Sequence, residues 1–278
     1  MERERVDDWI EAYRRAWELA DTPAAVALFT TDASYRSHPL GPAHAGHDGI
    51  ATYWGEVTAD QRDPRVRFGD PIVDGDRVAV EWWTTMLAGG DPVTLAGCLL
   101  LAFATDGRCR ALRECWNLAE RLVDPPDDWG RLDPTPARDG ADPAAASGAR
   151  EHARRWAEGY ERAWRAGDPE AAAALYAPDT TYRSEPFRDP HPGREGVLAY
   201  TRAAYATEAG QDPHFGTPVA SATGAAVEWW ATMLEDDQPA TIIGTSVLTF
   251  APDGLVATAR DYWFQEPGAH PPYDGWGR

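Results

Sequence analysis

The chain matches itself. Shifted by 147 positions it aligns without a gap, and about 49 of the 131 aligned pairs are identical. Trp9-Ile-Glu-Ala-Tyr13 meets Trp156-Ala-Glu-Gly-Tyr160, and Tyr35-Arg-Ser-His-Pro39 meets Tyr182-Arg-Ser-Glu-Pro186. Val80-Glu-Trp-Trp83 meets Val227-Glu-Trp-Trp230, and Trp129-Gly-Arg131 meets Trp276-Gly-Arg278. A period this long is far beyond a solenoid unit, so the repeat is a duplicated domain rather than an array. The copies span 1–131 and 148–278. Between them, residues 132–147 (LDPTPARDGADPAAAS) have the Pro, Ala and Asp content of an exposed linker. A length of 278 residues suits two ordinary domains.

Composition narrows the chemistry. The formal net charge is −19, from 45 acidic and 26 basic residues, and every basic residue is arginine. Without lysine the chain can form no Schiff base and no Walker-type phosphate loop. The acidic field repels polyanions, so neither nucleic acid nor an acidic membrane is expected as a partner. No apolar stretch approaches the roughly 20 residues of a membrane span. The start, MERERVDDWIEAYRR, lacks a signal-peptide core, which points to a cytoplasmic protein. Cys98, Cys109 and Cys115 then read as buried, reduced thiols. The lysine-free composition, rich in Arg, Ala and Asp, suggests a high-GC bacterium as its source.

Each copy reads as helix, helix, strand, helix and four strands. Residues 3–20 place Trp9, Tyr13, Ala16, Trp17 and Ala20 on one helical face. Asp21-Thr22-Pro23 opens a short helix over 23–30. A strand is expected at 32–39, a helix at 46–60, and strands at 66–73, 77–87, 92–104 and 108–118. Asp106-Gly107 is a turn signal before the last, as Asp253-Gly254 is in copy two. Helices set apart from an antiparallel meander make the class α+β.

This order and these motifs resemble the nuclear transport factor 2-like superfamily, in particular its SnoaL-like polyketide cyclase branch. The resemblance rests on the opening aromatic helix, the Asp179-Thr-Thr-Tyr-Arg-Ser strand, Gly46-x-x-Gly49 at a helix entry, and Gly75–Trp83. It covers both copies and skips the linker. It implies two cone-shaped α+β barrels, each a curved sheet around a helix with an apolar pocket, and a tandem pair forming a pseudo-dimer within one chain. Some polyether epoxide hydrolases of the superfamily are such tandems. The fold hosts many activities, so function must come from the site.

Alternation sorts the candidates by strand face. Glu81 shares a face with Trp83 and Thr85, opposite Val80, Trp82 and Thr84, and both faces carry a Trp. Glu81 and Glu228 are therefore expected as buried carboxylates suited to acid or base work, or else paired to Arg113 or Arg260. Relatives often place an acid before a proline near the Tyr-Arg-Ser strand. Glu185 matches that acid and His38 stands in its place in copy one, so both are catalytic candidates. Arg36 and Arg183 share their face. Glu114 and Asp261 share a face with Trp116 and Trp263, but the Arg113-Glu114 order lacks the Arg-x-Asp pair that a limonene-epoxide-hydrolase site would want. His38, His44, His47 and Asp48 cluster in one loop, yet copy two keeps only His191 of the set, so no metal is expected. Tyr13, Trp17, Tyr53, Trp83 and Trp116, with Tyr160, Trp164, Tyr200, Trp230 and Trp263, are expected to wall a pocket for a flat apolar ligand.

The resulting expectation is an enzyme that acts without cofactor on a small hydrophobic molecule, by cyclisation, isomerisation or hydration. A non-catalytic binding protein, an epoxide hydrolase-like tandem and a module filled by its own tryptophans are the alternatives.

Overall fold

The structure, a computed structural model, describes residues 2–132 and 143–278. The chain divides into two compact units, Met1–Arg131 and Leu132–Arg278. The first runs α1 (Arg3–Glu18), α2 (Thr22–Ala27), β1 (Phe29–Arg36), β2 (His44–Ala45), α3 (Gly46–Ala59), β3 (Gln61–Phe68), β4 (Ile72–Asp74), β5 (Arg77–Ala88), β6 (Asp91–Phe103) and β7 (Cys109–Ala119). The second repeats it as α4 (Pro143–Ala166), α5 (Pro169–Ala173), β8 (Tyr176–Arg183), β9 (His191–Pro192), α6 (Gly193–Tyr205), β10 (Glu208–Phe215), β11 (Val219–Ala220), β12 (Ala225–Glu235), β13 (Gln238–Phe250) and β14 (Val256–Pro267). Among the described residues no helix is long and apolar enough to cross a membrane.

Each unit carries a seven-stranded sheet, ordered β2-β1-β7-β6-β5-β3 and β10-β12-β13-β14-β8-β9, with β4 and β11 paired to β5 and β12. The sheets are mixed rather than purely antiparallel. β1 lies parallel to β7, and β8 to β14, because the first strand joins the far edge of the meander that follows it. Most of the expected linker, 133–142, lies outside the described residues. Its last five residues are helical instead. Pro143 fits a first helical turn, where its missing N–H costs nothing, and the alanines after it are strong helix formers.

In α1, Val6, Trp9, Ile10, Tyr13 and Ala16 are buried at helical spacing, and Arg14 pairs with Glu11 and Glu18 on the wet face. Asp21 and Asp168 cap the short second helices, accepting from Ala24 N at 3.0 Å and Ala171 N at 2.9 Å. Cys98, Cys109 and Cys115 are buried, and burial pushes the Cys109 thiol up to about 12.

The meander buries both faces, and a glycine decides which tryptophan goes where. In register across β5, β6 and β7, Trp82 stands beside Gly97 and Gly97 beside Trp116. The Trp82 ring lies across Gly97, where an added Cβ would meet its Cε2 at 2.9 Å. In the second unit Trp229 lies over Gly244, and a Cβ would stand 2.3 Å from Cζ2. Trp83 and Trp230 point to the opposite face. There Trp83 meets Trp129 edge-on at 5.7 Å and Trp230 meets Trp276 at 5.8 Å. The tail stays on that face through Asp70 N donating to Gly130 O at 2.7 Å, and Thr217 N to Gly277 O at 2.7 Å. Each Trp-Gly-Arg segment thus clamps its own copy.

Gly244→Ala should therefore lower stability by about 1–3 kcal/mol through overpacking. Gly148→Ala, in α4 with nothing within 4 Å of the added carbon, should raise it by roughly 0.5–1 kcal/mol. Thermal melts of both variants check this, and Gly244→Ala melting with the wild type would refute the ring placement.

Candidate active site

Both units hold an open-mouthed cavity between the inner sheet face and two helices. In the first unit α1 supplies Tyr13 and Trp17, and α3 supplies Tyr53, Trp54, Val57 and Thr58. The sheet adds Tyr35, Gln61, Trp82, Leu95, Glu114 and Trp116. The space is about 640 Å³ with its mouth, and about 750 Å³ in the second unit.

One carboxyl sits on each inner wall, supplied by the last strand. Glu114 is buried, and the Tyr35 hydroxyl donates to its Oε1 at 3.2 Å. The Tyr35 hydroxyl lies 2.8 Å from that of Tyr13. Burial pushes the Glu114 carboxyl up to about 8, with the Tyr35 bond pulling the other way. It is a neutral acid at pH 7. Burial also raises Tyr13 and Tyr35, so their hydroxyls stay protonated as donors.

The second unit builds the same position differently. Tyr182 donates to Asp261 Oδ2 at 2.7 Å and Ser246 to Oδ1 at 2.6 Å. Trp229 Nε1 in turn donates to Ser246 Oγ at 3.0 Å. At the Ser246 position the first unit has Leu99, and among the described residues Trp82 Nε1 has no hydrogen-bond partner. Asp261 is half-buried as a residue, since it faces the cavity, but its carboxyl is enclosed. Burial raises it to about 6 while the two donors hold it down. It is an anion at pH 7, poised to take a proton.

Two further carboxyls, Glu208 and Glu235, line this cavity and have no acidic counterpart in the first. Glu208 replaces Gln61, and burial raises it to about 7 against the donors Trp164 and Gln211. Trp164 Nε1 donates to Glu208 Oε2 at 2.7 Å, as Trp17 Nε1 does to Gln61 Oε1 at 2.8 Å.

Of the residues singled out in the sequence, Tyr13, Trp17, Tyr53 and Trp116 line the first cavity, and Tyr160, Trp164, Tyr200 and Trp263 the second. Others stand elsewhere. Glu81 and Glu228 follow the outward set of Trp83 and Trp230, since each precedes the inward Trp82 or Trp229 by one residue. A Cβ on Gly216, which meets the tail at Gly277, would lie 3.5 Å from the Cβ of Glu228. Trp83 and Trp230 spend their indoles on Val123 O at 2.8 Å and His270 O at 2.7 Å. Arg36 and Arg183 hold the strand-end loop through the carbonyls of Gly41 and Arg188. In that loop the His38 carbonyl accepts from Gly41 N at 3.0 Å, and Glu185 pairs with Arg188 at 3.0 Å. None of these eight lines either cavity. The loop histidines part company too. His44 stacks on Tyr53 at 4.3 Å, and His47 lies 3.0 Å from the Phe29 carbonyl.

The cavity also holds groups the sequence reading did not select: Tyr35, Trp82 and Glu114, and Tyr182, Trp229, Ser246, Asp261 and Glu208. The signal was an acid at matched positions of the last strand, two residues before Trp116 or Trp263.

No curated protein sequence matches the chain. Among solved structures it resembles a hypothetical protein of ketosteroid isomerase-like fold from Catenulispora acidiphila, in complex with trimethylamine. Identity is 20% over 38% of this chain and 82% of that one, with a TM-score of 0.36. It also resembles SalBIII, an epoxide hydrolase/cyclase-like enzyme of pyran ring formation in the polyether salinomycin (17%, 42% and 95%, TM-score 0.38). A Mycobacterium tuberculosis protein is 14% identical over 43% of this chain and 98% of its own, with a TM-score of 0.39. Each likeness spans no more than one copy. The SnoaL-like domain family matches twice, over residues 10–112 and 154–259, and the chain belongs to that family as a tandem duplication.

Proposed function

We propose that the chain is a cofactor-independent enzyme that moves a proton on a small hydrophobic metabolite, and that the second cavity is where it does so. One observation carries this reading. Asp261 stands on an aromatic wall with both carboxyl oxygens engaged by donors, and its carboxyl is poised near 6. A fixed, partly desolvated carboxylate is a competent base toward a carbon acid or a water molecule. Tyr160 and Tyr200, which line the same space and stay protonated, are placed to donate to an oxygen on which negative charge develops. The proton taken by Asp261 returns to another atom of the substrate in an isomerisation or cyclisation. In a hydration it comes from the attacking water, and it passes to the substrate atom freed when the bond that the water oxygen replaces is broken.

The first cavity is the less suited to this chemistry. Its carboxyl is neutral at pH 7 and can only donate. The test is solvent exchange with the whole chain. Apolar cyclic ketones in D2O, read by NMR, report proton abstraction at carbon, and apolar epoxides in 18O-labelled water report hydration. Exchange or label uptake well above buffer is expected. A chain that binds these compounds and accelerates neither process is a binding protein, and the enzymatic reading falls.

A further inference from the structure

The mouth of the second cavity carries a feature that neither packing nor proton transfer needs. Glu208 and Glu235 stand directly opposite each other on β10 and β12, and both line the cavity. Like charges directly opposite across a strand pair are destabilising. The first unit has Gln61 against Ala88 at that register. Gln61 accepts the indole N–H of Trp17 as well as Glu208 accepts that of Trp164, so the indole bond does not require a carboxylate. Gln265, where the first unit has Leu118, donates to Glu235 and holds it in place. Among the described residues lining this cavity, none is Arg or His, while ten are aromatic. Two carboxylates facing each other at the rim of an aromatic box, with no protein cation among its walls, favour a positive charge that comes from outside.

We propose that the second cavity takes a cationic organic ligand, an apolar amine or quaternary ammonium. Its head lies between Glu208 and Glu235 against the Trp164 and Tyr205 rings, and its apolar body runs inward toward Asp261. A bare metal ion fits less well, because among the described residues no three His, Cys, Asp or Glu side chains come together to hold one. This deepens the reading of the cavity as a substrate pocket, but it does not depend on Asp261 acting as a base.

Titration calorimetry of the whole chain with benzyltrimethylammonium and its neutral isostere neopentylbenzene tests it, with tryptophan fluorescence as a second readout. The cation is expected to bind at least ~10-fold tighter than the isostere. Glu208→Gln should lose most of that preference and leave the isostere unchanged. Gln already occupies the matched site in the first unit, so the variant is expected to fold. Glu235→Ala, which copies Ala88, should act in the same direction. Equal affinity for the two probes, or a preference that survives both substitutions, overturns the proposal, as does competition by Ca2+ or Mg2+ at concentrations similar to the probe's. Cation binding that depends on Glu208 in a chain without exchange activity upholds this inference while the enzymatic reading alone fails.

Discussion

Asp261→Asn is expected to reduce exchange or turnover by about 10²–10⁴-fold, the usual contribution of a positioned general base. The loss should be chemical rather than structural. An asparagine oxygen can still accept from Ser246 or Tyr182, and the side-chain volume is nearly unchanged, so the aromatic wall keeps its shape. Binding of apolar ligands should persist while the catalysed step disappears. The wild-type pH profile follows from the same group. Only the ionised carboxyl accepts a proton, so kcat/KM should rise with pH through about 6 and then level off. Glu208, at about 7 and in the same space, modulates the upper part of that profile. The variant should lose the limb near 6. Asp261→Asn working within threefold of the wild type, with the limb intact, would remove Asp261 from the chemistry.

Much of the fold is legible in the sequence, because the duplication reports each pattern twice. The amphipathic face of α1, the Asp-capped second helix and the hairpin at Asp106-Gly107 each follow from local spacing or turn chemistry that long-range contacts do not override. The parallel pairing of β1 with β7 does not, since partners 70 or more residues apart leave no local mark. The site was harder to read for a physical reason. Alternation divides β5 into Glu81-Trp83 and Val80-Trp82 sets, but both faces are covered, one by α1 and the other by the tail, so hydrophobicity cannot say which set faces the ligand. Gly97 and Gly244 hold the answer. A glycine within an otherwise apolar strand marks a close approach, and here it is the neighbouring Trp82 or Trp229 ring that approaches. With those rings inside, Glu81 and Glu228 fall outside, and the acids on the inner face become Glu114 and Asp261. The mouth carboxylates were legible only as differences between copies. Gln61 against Glu208 and Ala88 against Glu235 look like surface drift until the register sets them face to face.

Glu114→Gln is expected to stabilise the chain at alkaline pH and to leave it nearly unchanged at pH 5. The sign follows from linkage. In the fold the Glu114 carboxyl titrates near 8, whereas in the unfolded chain it titrates near 4.5. Between those values the folded state holds a proton that the unfolded state releases, so stability falls as pH rises from about 4.5 to about 8 and then levels off. A separation of this size corresponds to roughly 3–5 kcal/mol at about 1.4 kcal/mol per unit. Glutamine resembles the protonated acid in shape and in its mix of donor and acceptor, so it can keep the Tyr35 contact without a charge to bury. Asp261 and Glu208 tilt the second unit in the same direction, over windows ending near 6 and 7, and they do so in both proteins. The gain from Glu114→Gln should therefore grow between pH 5 and 8.5 in the melting of the first unit. Melts at several pH values, followed by tryptophan fluorescence, read it directly. A variant that gains nothing over the wild type across that range would mean that Glu114 already ionises at ordinary pH. The first cavity would then hold an anion like the second, and the assignment of proton abstraction to the second cavity would lose its basis.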